Sequence, residues 1–487
     1  MTDSALLADR PGENRATKDL ARALSLRDAI ALVLSVIGTG VFLKSATMAQ
    51  LVGSPSRVLL AWLAAGILSL AGALTYAELG AMLPRAGGEY VFLRESYGDL
   101  PAFLFGWTSV IIIASGGIAA ISTALASFLG SFINMNTVWI ARDLHLLGQT
   151  IHWRLGLEQL VAVSVIALFS VINARGVELG SRVQWISTLA KLGGIAVIVL
   201  GAFFLSRMGS MANLHQPVTA AIAPSGASAF AAAMIAALWA YNGWSNVAMV
   251  AGEVEKPERN IPRALIYGML IVIAVYLITN AAFFYVLPFS EVLTSNSTAY
   301  RDALPVAARA AQTFFSYGSQ LVSLAFIIAA IGALNGIILM NARVPFAMAR
   351  DNLFFRPMGK LNDRGVPANA IWFLAVWASV LALSGTFDQI TTSVMFAVWV
   401  FTALVATSLF VLRRKLPVAP RRYRTIGYPV VPALFVLVAL WLVINTLWSS
   451  PVESAAGVVL IALGLPVYLY LRRRGWMHRA RVRETAE

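Results

Sequence analysis

Two short stretches of this chain put exposed backbone chemistry where an apolar run should be unbroken helix. The first is Val36-Ile37-Gly38-Thr39-Gly40, in which two glycines flank a threonine. The second is Trp239-Ala240-Tyr241-Asn242-Gly243-Trp244, in which an Asn-Gly turn pair interrupts another apolar run. Each glycine costs a helix about 1 kcal/mol relative to alanine. Within lipid, an unwound backbone is tolerated only where it lines a protected cavity. Unwinding at Gly38, Thr39 and Gly40 would expose amide N–H groups at the start of an outer half-helix, whose positive dipole end suits a carboxylate. Val36 and Ile37 would end the inner half with unpartnered carbonyls, and Trp239, Ala240, Tyr241 and Asn242 would do the same in the second stretch. Carbonyl oxygens suit an ammonium group. A zwitterion with both groups on one carbon fits this pair of ends without any protein charge, which describes a general α-amino acid site. The plainer alternative is close helix packing through small residues, with Asn242 bonding across helices.

A third candidate is Lys191, in Ser187-Thr188-Leu189-Ala190-Lys191-Leu192-Gly193-Gly194. At the helical rise it lies about 13 Å from Arg182 and about 21 Å from Leu205, well inside an apolar run. Its ammonium could bond the orphan carbonyls of the first break and act as a fixed or titratable coupling charge. The alternative is a side chain that snorkels to the membrane interface. Asn335, in Gly332-Ala333-Leu334-Asn335-Gly336, sits mid-run and suits either a substrate contact or packing. Glu78, Glu89, Glu253 and Glu255 read as interface salt bridges or helix caps, and Lys44 as pointing to water. Nothing suggests enzyme chemistry. Cysteine is absent, and His145, His152, His215 and His478 are scattered over expected loops and the tail. No nucleophile–base set, aspartate pair, zinc-ligand set or phosphate-binding loop is present, so no catalytic residue, metal or cofactor is assigned.

The elements that must position these residues follow from composition. The 487 residues are 59% hydrophobic and 12% charged, against roughly 25% charged in soluble domains. So much apolar surface needs lipid as its solvent. Apolar runs long enough to cross a bilayer fall at 28–51, 57–82, 100–133, 156–173, 182–206, 228–251, 264–288, 318–342, 369–385, 390–412, 430–449 and 455–471. The expected fold is therefore an all-α membrane protein of twelve spans, with spans one and six discontinuous. The net charge of +14 is carried between the spans. With a cytoplasmic N-terminus, about 29 lysines and arginines fall on the inner side, so both termini are placed in the cytoplasm. Residues 1–27 lack the apolar core of a signal peptide and read as a cytoplasmic tail. Interrupted helices at matching places in two halves point to an inverted-repeat carrier. The expected division is a tail (1–26), a ten-helix core (27–412, with repeats at 27–206 and 228–412), a loop with two added helices (413–473) and a tail (474–487).

The ordered set of motifs resembles the amino acid–polyamine–organocation superfamily, and within it the L-type amino acid transporters of bacteria. The carriers are Ile37-Gly38-Thr39-Gly40-Val41-Phe42, the run Ala77 to Tyr90 (AELGAMLPRAGGEY), Trp239 to Trp244, the run Glu253 to Pro262 (EVEKPERNIP) and Gly332 to Gly336. The resemblance runs from about Leu24 to the twelfth span. It implies a fold of five plus five inverted helices with two extra. It further implies carboxylate binding by Gly38, Thr39 and Gly40, and ammonium binding by carbonyls of Val36, Trp239 and Asn242. Trp239 takes the place of an aromatic gate, and Lys191 that of a fifth-helix lysine occupying a coupling-ion position. Animal members join a heavy chain through a loop cysteine; with no cysteine here, a lone carrier without a disulfide-linked partner is expected. Asn242 stands where relatives often carry glycine or aspartate.

The resulting expectation is a secondary carrier of neutral L-amino acids in a bacterial inner membrane, working by exchange or proton-coupled uptake. Spans one, three, six and eight offer no mid-membrane acid for a cationic side chain. The alternative keeps the fold and carries cationic amino acids or polyamines.

Overall fold

The computed structural model describes residues 20–38, 40–130, 132–135, 137–146, 149–215, 226–295, 303–384, 387–449 and 451–473. Thr39, expected in the carboxylate site, lies outside the described residues. Among the described residues nine helices are long and apolar enough to cross a bilayer: Pro55–Met82, Asp99–Leu129, Leu157–Ala174, Val177–Leu205, Pro257–Val286, Gly318–Arg350, Phe396–Lys415, Val430–Trp448 and Ser454–Arg473. These are spans two, three, four, five, seven, eight, ten, eleven and twelve. Span nine is the shorter apolar helix Ala368–Ser384.

The other two spans are the interrupted ones. Span one is an α-helix Leu26–Val33, a 3-10 turn Leu34–Val36 and a second α-helix Gly40–Val52. Its start is fixed by a capping box: Ser25 N–H donates to Asp28 Oδ2 at 2.9 Å and Asp28 N–H to Ser25 Oγ at 3.3 Å. Ser181 of span five adds a bond to the same carboxylate at 2.7 Å. Span six is an α-helix Ala227–Tyr241 followed by a 3-10 helix Trp244–Glu253. Two interrupted spans, nine long ones and one short one make the expected twelve.

One element departs from the all-α expectation. Val138–Leu146 and Gln149–Gly156 pair as an antiparallel hairpin between spans three and four. Val138, Trp139 and Ile140 open the first strand, and Thr150, Ile151 and Trp153 lie in the second, residue types that suit a ladder.

The glutamates differ from their expected surface role. Glu78 of span two is fully buried, and Arg413 grips it with bonds of 2.9 and 2.7 Å. Glu253, at the end of span six, pairs with the equally buried Arg343 at 2.6 and 2.8 Å. Both are ion pairs, as the sequence suggests, but they lie inside the helix packing rather than at its rim. A buried charge needs such a partner, because desolvation costs several kcal/mol per ion. Spans eleven and twelve sit at the periphery. Leu437 and Trp448 are 62% and 84% exposed, a surface that lipid rather than water covers.

Candidate functional site

The two breaks face one another across a cavity of about 170 Å³. Ser35, Val36, Gly38 and Gly40 line it from span one, and Trp239, Ala240, Asn242 and Gly243 from span six. Spans three, eight and ten close it with mostly small or apolar groups, among them Gly116, Gly117, Ala333, Ile337 and Phe401. Sites for drug-sized ligands run roughly 300–1,000 Å³, so this volume suits a small solute.

The glycines are required by that geometry. A Cβ on Gly40 would lie 2.5 Å from Ala240 Cβ and 2.9 Å from Ala240 Cα, so only hydrogen lets the two broken spans meet here. Gly243 adopts φ +110°, a left-handed conformation that lets the chain turn between the α-helical and 3-10 halves of span six. The outer half of span one begins at Gly40, so its first amides have no helical acceptor, and Gly40 itself lines the cavity. Asn242, the C-cap of the first half of span six, lines the same cavity.

The orphan carbonyls of span one are taken by two buried side chains. Lys191 Nζ donates to Leu34 O at 2.5 Å and to Ile37 O at 3.0 Å, and the residue is 1% exposed. It does not snorkel; its charge is held against the end of the inner half-helix. The second side chain was not legible in the sequence. Tyr276, in the middle of span seven, places its hydroxyl 3.0 Å from Val36 O and 2.8 Å from Ala240 O. One hydroxyl carries one proton, so it donates to one of these carbonyls at a time and ties both breaks to a single group. The Gly38 amide is directed at the same oxygen. A tyrosine in an apolar span gives no sequence signal of this role, because packing explains it equally well.

Several expected site residues stand elsewhere. Ile37 is fully buried and absent from the cavity lining; its carbonyl serves Lys191 instead of substrate. Tyr241 turns away into an aromatic cluster with Trp62 and Tyr276, its hydroxyl 3.2 Å from Trp62 O. The helical period explains this, since Tyr241 lies on the opposite side of span six from Trp239. Asn335 is fully buried outside the lining: its amide donates to Gly180 O at 2.9 Å and Gln184 Oε1 at 3.2 Å and accepts from Asn173 at 3.0 Å. It joins spans four, five and eight rather than contacting the cavity. Trp239 does line the cavity, and the half-buried Lys44 sits with its ammonium 4.7 Å over the Trp239 ring. Glu89, read from sequence as a salt bridge or cap, also lines the cavity.

A family model described as amino acid permease matches residues 24–470. The chain is 31% identical over 459 residues to a serine/threonine exchanger of Bacillus subtilis (strain 168), covering 93% of this chain and 98% of that protein. It is 30% identical to the human b(0,+)-type amino acid transporter 1, over 94% of this chain and 90% of the relative. It is 27% identical to the human cystine/glutamate transporter, over 94% of this chain and 86% of the relative.

Proposed function

The chain belongs to the amino acid permease family and is a multi-pass membrane transporter of amino acids, and we propose that its substrates are neutral L-amino acids moved by alternating access. One observation carries the neutral preference. Gly38 and Gly40 at the start of one half-helix and Val36 and Asn242 at the ends of two others line one small cavity, whose side-chain wall is mainly glycine, alanine and apolar residues. Backbone groups can hold the α-carboxylate and α-ammonium, and the wall leaves room for a short apolar or hydroxylated side chain. The resemblance to a serine/threonine exchanger supports the same preference, and with it exchange as the mode of transport.

In this account Trp239 covers the substrate, and Lys191 holds the inner half of span one where a coupling cation would otherwise sit. The two breaks support a division into repeats at 27–206 and 228–412, with residues 413–473 added. The excess of lysine and arginine on one face supports a plasma-membrane protein with both termini in the cytoplasm. The chain acts without a disulfide-linked partner, having no cysteine.

A cationic-substrate reading has one observation in its favour, the Glu89 carboxylate in the cavity lining. A competition panel decides between them. Uptake of one labelled neutral amino acid into proteoliposomes should be inhibited best by serine, threonine, alanine or larger neutral L-amino acids. Strongest inhibition by lysine, arginine or putrescine would replace the neutral reading with the cationic one.

A further inference from the structure

Glu89 opens the short helix Glu89–Tyr97 that joins spans two and three. It is 6% exposed, and among the described residues it is the carboxylate that lines the cavity. Tyr76 Oη of span two donates to Glu89 Oε1 at 2.9 Å, and the Ser245 hydroxyl of span six lies close enough to act on the same carboxylate. Thr402 of span ten stands behind Tyr76. Among the described residues no lysine or arginine pairs with Glu89, whereas Glu78 and Glu253 each hold an arginine. An ionised carboxylate has about four acceptor positions, and two hydroxyl donors leave the rest unfilled. A carboxylate buried this way must take a proton or a cation. Burial pushes the Glu89 carboxyl up to about 7, so either occupant is accessible near neutrality.

Its placement along the pathway is equally specific. Ser245 lies three residues beyond Asn242, on the 3-10 half of span six. At a rise of about 2 Å per residue that is roughly 6 Å from the break, toward the arginine-rich face. Gly87 N–H donates to Met249 O at 2.9 Å, which fixes the loop before Glu89 on that same half-helix. A Cβ on Gly88 would lie 2.8 Å from the Ala248 backbone, so the contact is backbone against backbone. Glu89 is thereby held against the inner half of span six, on the part of the cavity wall that lies past the break rather than at it.

We propose that Glu89 is a second ammonium-binding subsite at the cytosolic end of the pathway, which takes the substrate's α-ammonium from the helix-break carbonyls as the inner half-helices part. A carboxylate–ammonium pair is a charge-assisted bond, stronger than the carbonyl contacts it replaces. Between turnovers a proton occupies the same oxygens, so proton and ammonium compete for one carboxylate. The ionised form is the one that binds ammonium. Acidifying the cytosolic face therefore fills the subsite with protons and raises the cytosolic KM, while the outer face is indifferent. The inference rests on the amino acid carrier function and on the cytosolic placement of the arginine-rich face.

The test uses the full-length protein in proteoliposomes of defined orientation, with labelled L-serine and, in parallel, L-leucine. In the wild type the cytosolic-face KM should rise several-fold between about pH 8 and about pH 6. Glu89→Gln should raise the cytosolic-face KM about tenfold at the higher pH, abolish its pH dependence and leave the outer-face KM within about twofold. Glu89→Asp should keep the pH dependence, and it decides the matter if Glu89→Gln is not recovered as a monodisperse protein. An unchanged cytosolic KM in Glu89→Gln, a pH dependence that persists in it, or an equal change at both faces overturns the proposal. So does a pH-independent Glu89→Asp. If the wild type exchanges neither amino acid nor any other of a panel, the carrier function fails first and the two failures are told apart.

Discussion

Replacing Lys191 by alanine removes the donor to two buried carbonyls, Leu34 O and Ile37 O. An unsatisfied buried polar group costs about 1–3 kcal/mol, so the pair is worth about 2–6 kcal/mol if the gap stays dry. Water can enter the space that alanine vacates and recover part of this. The lower end, about 2 kcal/mol, corresponds to roughly a thirtyfold shift in the equilibrium that places the inner half of span one. Lys191→Ala should therefore slow exchange in proteoliposomes about thirtyfold or more while the protein stays folded. Lys191→Met supplies a sharper comparison: it fills the space, excludes water and offers no donor. Its exchange should be at least as slow as that of Lys191→Ala, although it preserves packing better. The assay is counterflow of a labelled amino acid, with monodispersity and melting temperature as controls for folding. Wild-type rates in Lys191→Ala, or in Lys191→Met, would refute the claim that this ammonium holds the break.

Three further outcomes follow from the same geometry. Tyr276→Phe removes the hydroxyl shared by Val36 O and Ala240 O, and exchange should fall about tenfold with a small change in melting temperature; unchanged kinetics would mean that the shared bond does not link the breaks. Gly40→Ala brings a methyl within 2.5 Å of Ala240 Cβ and should abolish exchange; full activity would mean that the broken spans need not meet. Asn335→Ala breaks a buried three-helix network, so it should lower the melting temperature and leave the substrate KM within about twofold; a large KM change would restore its assignment to the substrate site.

The twelve spans were legible because membrane helices announce themselves by length and apolarity, and the two breaks because Gly-Thr-Gly and Asn-Gly are turn-forming sequences in the middle of apolar runs. Lys191 was legible for a related reason: a charge deep in an apolar run needs an explanation. The side chains that complete the site were not. Tyr276 carries no charge and breaks no pattern. Glu89 lies outside the spans, and nothing local shows that its loop folds back on the inner half of span six through Gly87 and Met249. Asn335 and Tyr241 were misplaced for the opposite reason. A polar or aromatic residue close in sequence to a break looks like part of it, but which side of a helix faces the cavity is set by tertiary packing. The hairpin at Val138–Gly156 was hidden because span lengths say nothing about what joins the spans.

On the proposed function, amino acid flux passes through the cavity between the two breaks. Counterflow measures it most directly: vesicles containing the full-length protein and preloaded with unlabelled L-serine are diluted into labelled L-serine. Labelled serine should accumulate transiently above equilibrium, and the overshoot should vanish when the internal amino acid is omitted. No overshoot with serine or with any other amino acid in a neutral, cationic and acidic panel would mean that the protein does not exchange amino acids through this cavity.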